Sequence, residues 1–226
     1  MKGQYIVSRA RIVLHDPRAK RWDDTELALW INDGCKYIAL VRPDAASVNA
    51  LVTLAGGSKQ SIANLTPPGV RLLDVVRTEA GRAITLADRN ELDTYRPTWH
   101  ADAAGPTENY VYDNRDPKTY YVWPPAQAGN KIEVIYSRVP VEIAAADLSS
   151  VDLSLGDEYA DALLNYVLFR SYAKDAEATH NADLAAMYLQ ACNASLGVKT
   201  SADVAASPDL NSPGGKPAPG ATIGGV

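Results

Sequence analysis

Cysteine is nearly absent: Cys35 and Cys192 are the only two in 226 residues. Two thiols without a neighbouring metal ligand make neither a disulfide framework nor a zinc site, so buried, reduced side chains are expected. Histidine is scarce too. His15, His100 and His180 each stand near a predicted helix end or loop, with no second ligand or nucleophile beside them. Solvated or capping roles follow. No HExxH, CxxC, phosphate-loop or Gly-x-Ser-x-Gly signature occurs. "AGGSKQS" brings Gly57, Ser58 and Lys59 together without phosphate-loop spacing, and reads as a turn. "DNRDPKT" lacks the central glycine and closing glutamate of a calcium loop, and reads as a strand–strand connection. Asp157, Glu158 and Asp161 cluster at a predicted helix start, where the helix dipole alone explains them. The expectation is no enzyme, no cofactor and no metal.

Long apolar runs are missing as well. None approaches the length of a membrane span. "MKGQYIVSRARIVLHD" carries charges throughout and does not read as a signal peptide, so the expectation is a protein made in a cytoplasm. Without a secretory signal, the glycosylation patterns at Asn64 and Asn193 are chance. Net charge is −5, which argues against a broad nucleic-acid-binding surface. It leaves open a protein past which DNA moves.

What is present is a change of period along the chain. Residues 3 to 14 predict a helix with Ile6, Ala10, Val13 and Leu14 on one face, ended by Pro17. Residues 23 to 42 predict a stronger one. Asp23 and Glu26 form a capping box ahead of Leu27, Trp30, Ile31, Cys35, Ile38 and Val41, and Pro43 stops it. "ALVTLAGGSKQSIANL" then suggests a hairpin about Gly56-Gly57, and "VRLLDVVRTEAGRAITLAD" a second one turning at Gly81. "ADRNELDTY" predicts a short helix. "ENYVYDNRDPKTYYVWPP" and "NKIEVIYSRVP" predict three strands of an antiparallel meander, with Tyr110, Tyr112, Tyr120, Tyr121 and Trp123 used for cross-strand packing. Helices return in "GDEYADALLNYVLFRSYAKDA" and "HNADLAAMYLQACNASLG". The first puts Ala160, Leu163, Leu164, Val167, Leu168 and Ser171 on one face, the second Ala182, Ala185, Ala186, Leu189, Cys192 and Leu196. Gly197 is the predicted stop, and the two are expected to form an antiparallel hairpin joined near Thr179-His180-Asn181.

The expected fold is therefore α+β. Residues 1–46 and 141–197 supply the N- and C-terminal helix pairs of an antiparallel bundle. Residues 47–140 form an inserted antiparallel β domain, and 198–226 an extended arm. Of the last twenty residues, nine are Gly or Pro. Ordering twenty backbone residues costs on the order of 20–40 kcal/mol gross, which so few apolar side chains cannot offset. Docking along another chain can, through main-chain hydrogen bonds and apolar anchors. Pro208, Leu210, Pro213, Pro217, Pro219, Ile223 and Val226 are the candidate contacts of such a partner-binding arm.

Four phrases, "RWDDTELALWINDGCKYI", "RLLDVVRTEAGRAITLADRNELD", "YVYDNRDPKTYYVWPP" and "YADALLNYVLFRSYAKDAE", resemble the head-to-tail adaptor (connector) proteins of short-tailed bacteriophages. The resemblance spans about residues 5 to 200. It implies a structural virion protein in the neck between capsid and tail. Such proteins form a ring of self-copies, usually twelve, below the portal protein, and they extend the channel for genomic DNA. Their C-terminal arms run onto the portal, and their bodies dock a tail nozzle or fibre protein. Arg115 and Lys118 at the protruding β tip are candidates for that tail contact. No membrane is involved. A stopper or tail-completion protein of a long-tailed phage is the alternative, and a glycan-binding module using Tyr112, Tyr120 and Trp123 a third. A ring would repeat the chain's negative charge many times, repelling phosphate so that DNA slides.

Overall fold

The computed structural model describes residues 1–174 and 179–206. Its mixture of helices and antiparallel-rich sheets makes it an α+β protein. Helix α1 spans Gly3–Val13 and buries Ile6, Val7 and Ala10, with Leu14 closing the same face. The chain then turns through His15 and Ala19, both at positive φ. Helix α2 spans Asp24–Val41, and the Asp23 carboxylate accepts from the Glu26 N–H at 2.7 Å. That cap satisfies one of the amides a helix start leaves orphaned. Leu27, Ile31, Cys35 and Ile38 are fully buried at helical spacing. Val41, expected on that stripe, is exposed. Arg42 takes the inward place instead, paired with Asp44 at 2.7 Å, while Asp44 accepts from the Tyr159 hydroxyl at 2.9 Å.

Helix α4 spans Ala160–Lys174 and α5 spans Thr179–Ala206. Leu163, Val167, Leu168 and Ser171 of α4 are buried, as are Ala185, Cys192 and Leu196 of α5. Ala182 and Ala186 face outward and Leu189 is half-buried, so the buried face of α5 is narrower than its spacing suggests. Nor does α5 stop at Gly197. One glycine in a helix costs only about 1 kcal/mol against alanine, and the first residue that truly forbids a helix is Pro208. Helix α5 begins at Thr179, so Thr179-His180-Asn181, the expected site of the connection, is itself helical. Side chains of α1, α2, α4 and α5 form one apolar cluster, joined by Ile143, Leu148, Leu153, Leu155 and Tyr159 from the stretch between the strands and α4. That stretch carries no helical or alternating pattern in the sequence. It is fixed by Asn32, which donates to the Ile143 carbonyl (2.9 Å) and accepts from its N–H (3.0 Å).

The strands are β1 (Ser47–Thr53), β2 (Gly57–Ser61), β3 (Gly69–Thr78), β4 (Thr85–Leu86), β5 (Asn109–Tyr112), β6 (Thr119–Ala126) and β7 (Lys131–Arg138). They form two sheets, ordered β1-β7-β3 and β2-β6-β5-β4, antiparallel except for β4 beside β5. Two expectations fail here. First, β1 and β2 are not a hairpin. Gly56-Gly57 instead carries the chain from one sheet to the other, with Gly57 at φ +100°. Second, β7 does not extend a meander with β5 and β6; it is the centre of the other sheet, between β1 and β3. The turn after β6 is tied to the end of β1, with Leu54 N–H on the Asn130 carbonyl (2.7 Å) and Gly129 N–H on the Leu54 carbonyl (3.2 Å). Those bonds steer β7 away from β6. A central strand also suits the β7 sequence, since Ile132, Val134 and Tyr136 are buried on one face and Ser137 on the other. The two sheets share one core, which includes Val52, Ile62, Leu72, Val75, Val122, Ile132 and Val134. Helix α3 (Arg89–Tyr95), capped by Asp88, lies outside it with no buried side chain.

Candidate partner-binding surfaces

The candidate arm residues Pro208, Leu210, Pro213, Pro217, Pro219, Ile223 and Val226 lie outside the described residues. Arg115 and Lys118 are both exposed in the connection between β5 and β6. This tip is held firmly from beneath. Ile62 N–H donates to the Lys118 carbonyl at 3.0 Å, Leu72 N–H to the Pro117 carbonyl at 3.0 Å, and Arg71 to the Asn114 side chain at 2.9 Å. Arg115 forks onto Asp113, with contacts of 3.0 and 2.7 Å. That guanidinium, helped by the Arg115 N–H, pulls the Asp113 carboxyl down to about 2. The tip therefore offers a firmly held, charge-balanced surface, with Asp113 and Asp116 set against Arg115 and Lys118.

The aromatic strands are occupied with their own packing. Tyr120 is 1% exposed and Tyr110 bonds to Asp74 through its hydroxyl (2.9 Å). The Trp123 indole N–H donates to Asp102 at 2.9 Å, beneath the Arg96 guanidinium. A sugar platform needs free ring faces; Tyr120 is buried and offers none, and one face of the half-buried Trp123 lies under Arg96. Trp99 is fully buried against α3, donating to Asp93 at 2.8 Å and stacking on His100. His100 in turn bonds the Ser58 hydroxyl at 2.8 Å, so the serine of "AGGSKQS" is structural. His15 is an exposed loop residue at φ 52° and His180 an exposed residue of α5.

Both thiols are buried, which pushes Cys35 up to about 12 and Cys192 to about 11. Neither is poised as a nucleophile. Among the described residues no group of three His, Cys, Asp or Glu side chains could hold a metal ion, and no helix is long and apolar enough to cross a membrane.

The sequence reading missed four surface features. Leu40 and Val41 at the end of α2, and Val139 and Val141 after β7, are exposed apolar side chains near where the helical and β parts join. Tyr5 and Ile12 stand out from α1, seven residues apart on one face. Tyr95 protrudes from α3 at 86% exposure. A shallow groove of about 490 Å³ runs over the β1-β7-β3 sheet between Asn49, Leu51, Arg77, Glu79 and Glu133. Helical periodicity gives the α1 pair directly; the others depend on how the strands distribute between sheets. Exposed apolar side chains of this kind are features that a protein partner can cover. The family model described as SU10 adaptor protein matches residues 1–213. Comparison with curated proteins gives no match. The matched span takes in both cores and every surface just described, and the chain belongs to the SU10 adaptor protein family: it is a bacteriophage adaptor, a structural protein and not a member of an enzyme class.

Proposed function

We propose that this adaptor forms a ring below the portal, extends the DNA channel, and gives the tail nozzle or fibres a docking surface. The observation that carries the reading is the family match across residues 1–213, which implies assembly with other virion proteins at the neck. The exposed apolar side chains support it. Leu40 and Val41 stand at the end of α2 and Val139 and Val141 after β7, whereas Tyr5 and Ile12 stand on α1. A ring needs two unlike patches, each repeated around an axis. In this reading the helical part builds the ring wall, with about twelve copies. The rigid tip at Arg115 and Lys118 points to the tail protein. Residues 207–226, through Pro208, Leu210, Pro213, Pro217, Pro219, Ile223 and Val226, lie along the portal. Many weak arms acting together give firm attachment through effective concentration.

Truncation after Ala206, where α5 ends, tests the arm. The shortened protein is expected to keep its far-ultraviolet dichroism and thermal midpoint while losing co-sedimentation with purified portal rings. Unchanged portal affinity would end the arm assignment.

A further inference from the structure

The two sheets have four edge strands, and three of them are blunted. β3 breaks register three times along β7. Its far side is taken up by bonds such as Leu72 N–H to the Pro117 carbonyl (3.0 Å) and Ile84 N–H to the Val76 carbonyl (3.1 Å). β2 slips register between Gly57 and Lys59 and carries the exposed Lys59. β4 has two residues. Bulges, an edge lysine, shortness and covering are the devices by which a sheet discourages a further strand. β1 has none of them. Ser47–Thr53 pairs with β7 over seven residues without a slip, and contains no proline and no charge. Its outer groups follow from the two-residue period of an antiparallel ladder. Leu54 N–H donates to the Asn130 carbonyl, so Val52, Ala50 and Val48 turn their N–H groups toward β7. Glu79 N–H donates to the Lys131 carbonyl, which gives the same parity from the β3 side. Asn49, Leu51 and Thr53 therefore turn their N–H groups outward. Among the described residues, no hydrogen bond outside the ladder reaches those three amides. Their side chains are exposed too, Leu51 at 50%. Leu51 stands beside the groove of about 490 Å³, where Arg77 is paired with Glu133, and Glu79 with Lys131 at 3.4 Å.

We infer that β1 is an acceptor edge, on which an extended, uncharged and proline-free segment of another virion protein lies as a fourth strand of the β1-β7-β3 sheet. Main-chain bonds to Asn49, Leu51 and Thr53 hold it, and one of its apolar side chains covers Leu51. The charges beside the edge already neutralise one another, so a charged strand finds no counter-ion there and loses hydration. The chain's own residues 207–226 fit poorly. Pro208, Pro213, Pro217 and Pro219 lack the N–H that a ladder uses, and three of the seven residues after Pro219 are glycine. A second copy also fits poorly. Two β1 edges meet only about a two-fold axis, which closes a pair and propagates no further. The inference rests on the adaptor reading for the class of partner, since an adaptor assembles with other virion proteins. The open edge itself does not depend on that reading.

The test uses the purified full-length protein and a synthetic strand of alternating threonine and valine, with a lysine beyond each end for solubility. Solvent-exchange NMR reads each β1 amide. Millimolar peptide is expected to slow exchange at Asn49, Leu51 and Thr53 about tenfold. Val48, Ala50 and Val52, already bonded to β7, and Lys59 on the β2 edge are expected not to change. Leu51→Lys is expected to weaken peptide binding about tenfold, with circular dichroism checking the fold. Two further peptides leave the protein untouched, one methylated at its valine amides and the other at its threonine amides. One is expected to bind like the parent peptide and the other not at all, because alternate residues of a strand face opposite edges. No portal enters these measurements, so their outcome stands apart from that of the arm truncation. Four results would overturn the inference. The first is no slowing by the parent peptide, and the second is equal behaviour of the two methylated peptides. The third is a set of edge amides already slow in the free protein and released by truncation after Ala206, which would give the edge to the chain's own residues. The fourth is slowing that rises with protein concentration alone, which would give it to a second copy.

Discussion

In the helical part, ion pairs join the beginning of the chain to its far end. Lys2 meets Asp152 at 3.0 Å, Arg9 meets Asp161 at 3.1 Å, Lys174 meets Glu26 at 2.7 Å, and Lys36 pairs with Glu142. In the β part, among the described residues, the ion pairs and strand pairings close within residues 47–138: Arg77 with Glu133, Arg82 with Glu108, Arg96 with Asp102, and the seven strands with one another, while Arg138 reaches out to the Ser154 carbonyl at 3.5 Å. Each exposed pair is worth only about 0–1 kcal/mol, so neither set explains stability. What differs is which stretches of chain each core requires. The helical core needs residues on both sides of the β part, whereas the β core needs nothing outside itself.

Two truncations of buried side chains, one in the helical core and one beside the β core, give the sharpest attack on that contrast. Leu163 is fully buried in the helical cluster and Trp99 nearly so beneath α3. Trp99→Ala is expected to cost about 3–5 kcal/mol and Leu163→Ala about 2–5 kcal/mol. Native-state hydrogen exchange reads where each loss falls. Trp99→Ala is expected to speed exchange in β2, β5 and β6, and Leu163→Ala in α2, α4 and α5. If either change opens both sets of amides equally, the two cores are one cooperative unit and the contrast is broken.

A smaller effect is expected at the strap between them. Asn32 holds the Ile143 backbone through two buried hydrogen bonds, just after the chain leaves β7. Asn32→Ala strands both backbone groups, at about 1–3 kcal/mol for a buried unsatisfied polar group. The expected signature is faster exchange at Ile143 and in α2, with β1, β3 and β7 unchanged. Loss of protection in those strands would mean that the strap serves the β part as well.

The same contrast decides what could be read from the sequence. In the helical part, Asp23 with Glu26 and the run Leu27, Ile31, Cys35, Ile38 name the cap and the buried face without reference to any distant residue. Periodicity is a local property, and α1, α2 and α4 obey it. In the β part the strand-forming stretches are equally visible, but their partners are not. Gly56-Gly57 looks like a hairpin turn whether the next strand pairs back or crosses to another sheet. Only Leu54, tied to Asn130 and Gly129, selects the crossing. Asn32 and the segment 141–156 were invisible because no period marks irregular backbone. Among the candidate contact residues, the sequence located the β tip and could not show that Arg115 spends its charge on Asp113.

The smallest expected effect lies at that tip. Arg115 lowers the Asp113 carboxyl to about 2 from an ordinary value near 3.9. A carboxyl lowered by folding adds stability above its unfolded value, and that stability is lost as pH falls from about 4 toward 2. Here the arginine is 88% exposed, so solvent screens nearly all of that contribution. Arg115→Ala is expected to raise the Asp113 titration, followed by carbon-13 NMR, toward the ordinary carboxylate range, with the N–H of residue 115 still holding it partly down. The thermal midpoint at pH 7 should stay within error of the parent protein, since Ile62, Leu72 and Arg71 still hold the turn. A clear drop in that midpoint would make the pair part of the β core's support. An unchanged midpoint with weakened binding of the tail protein would leave Arg115 as a surface contact, separable from the fold that presents it.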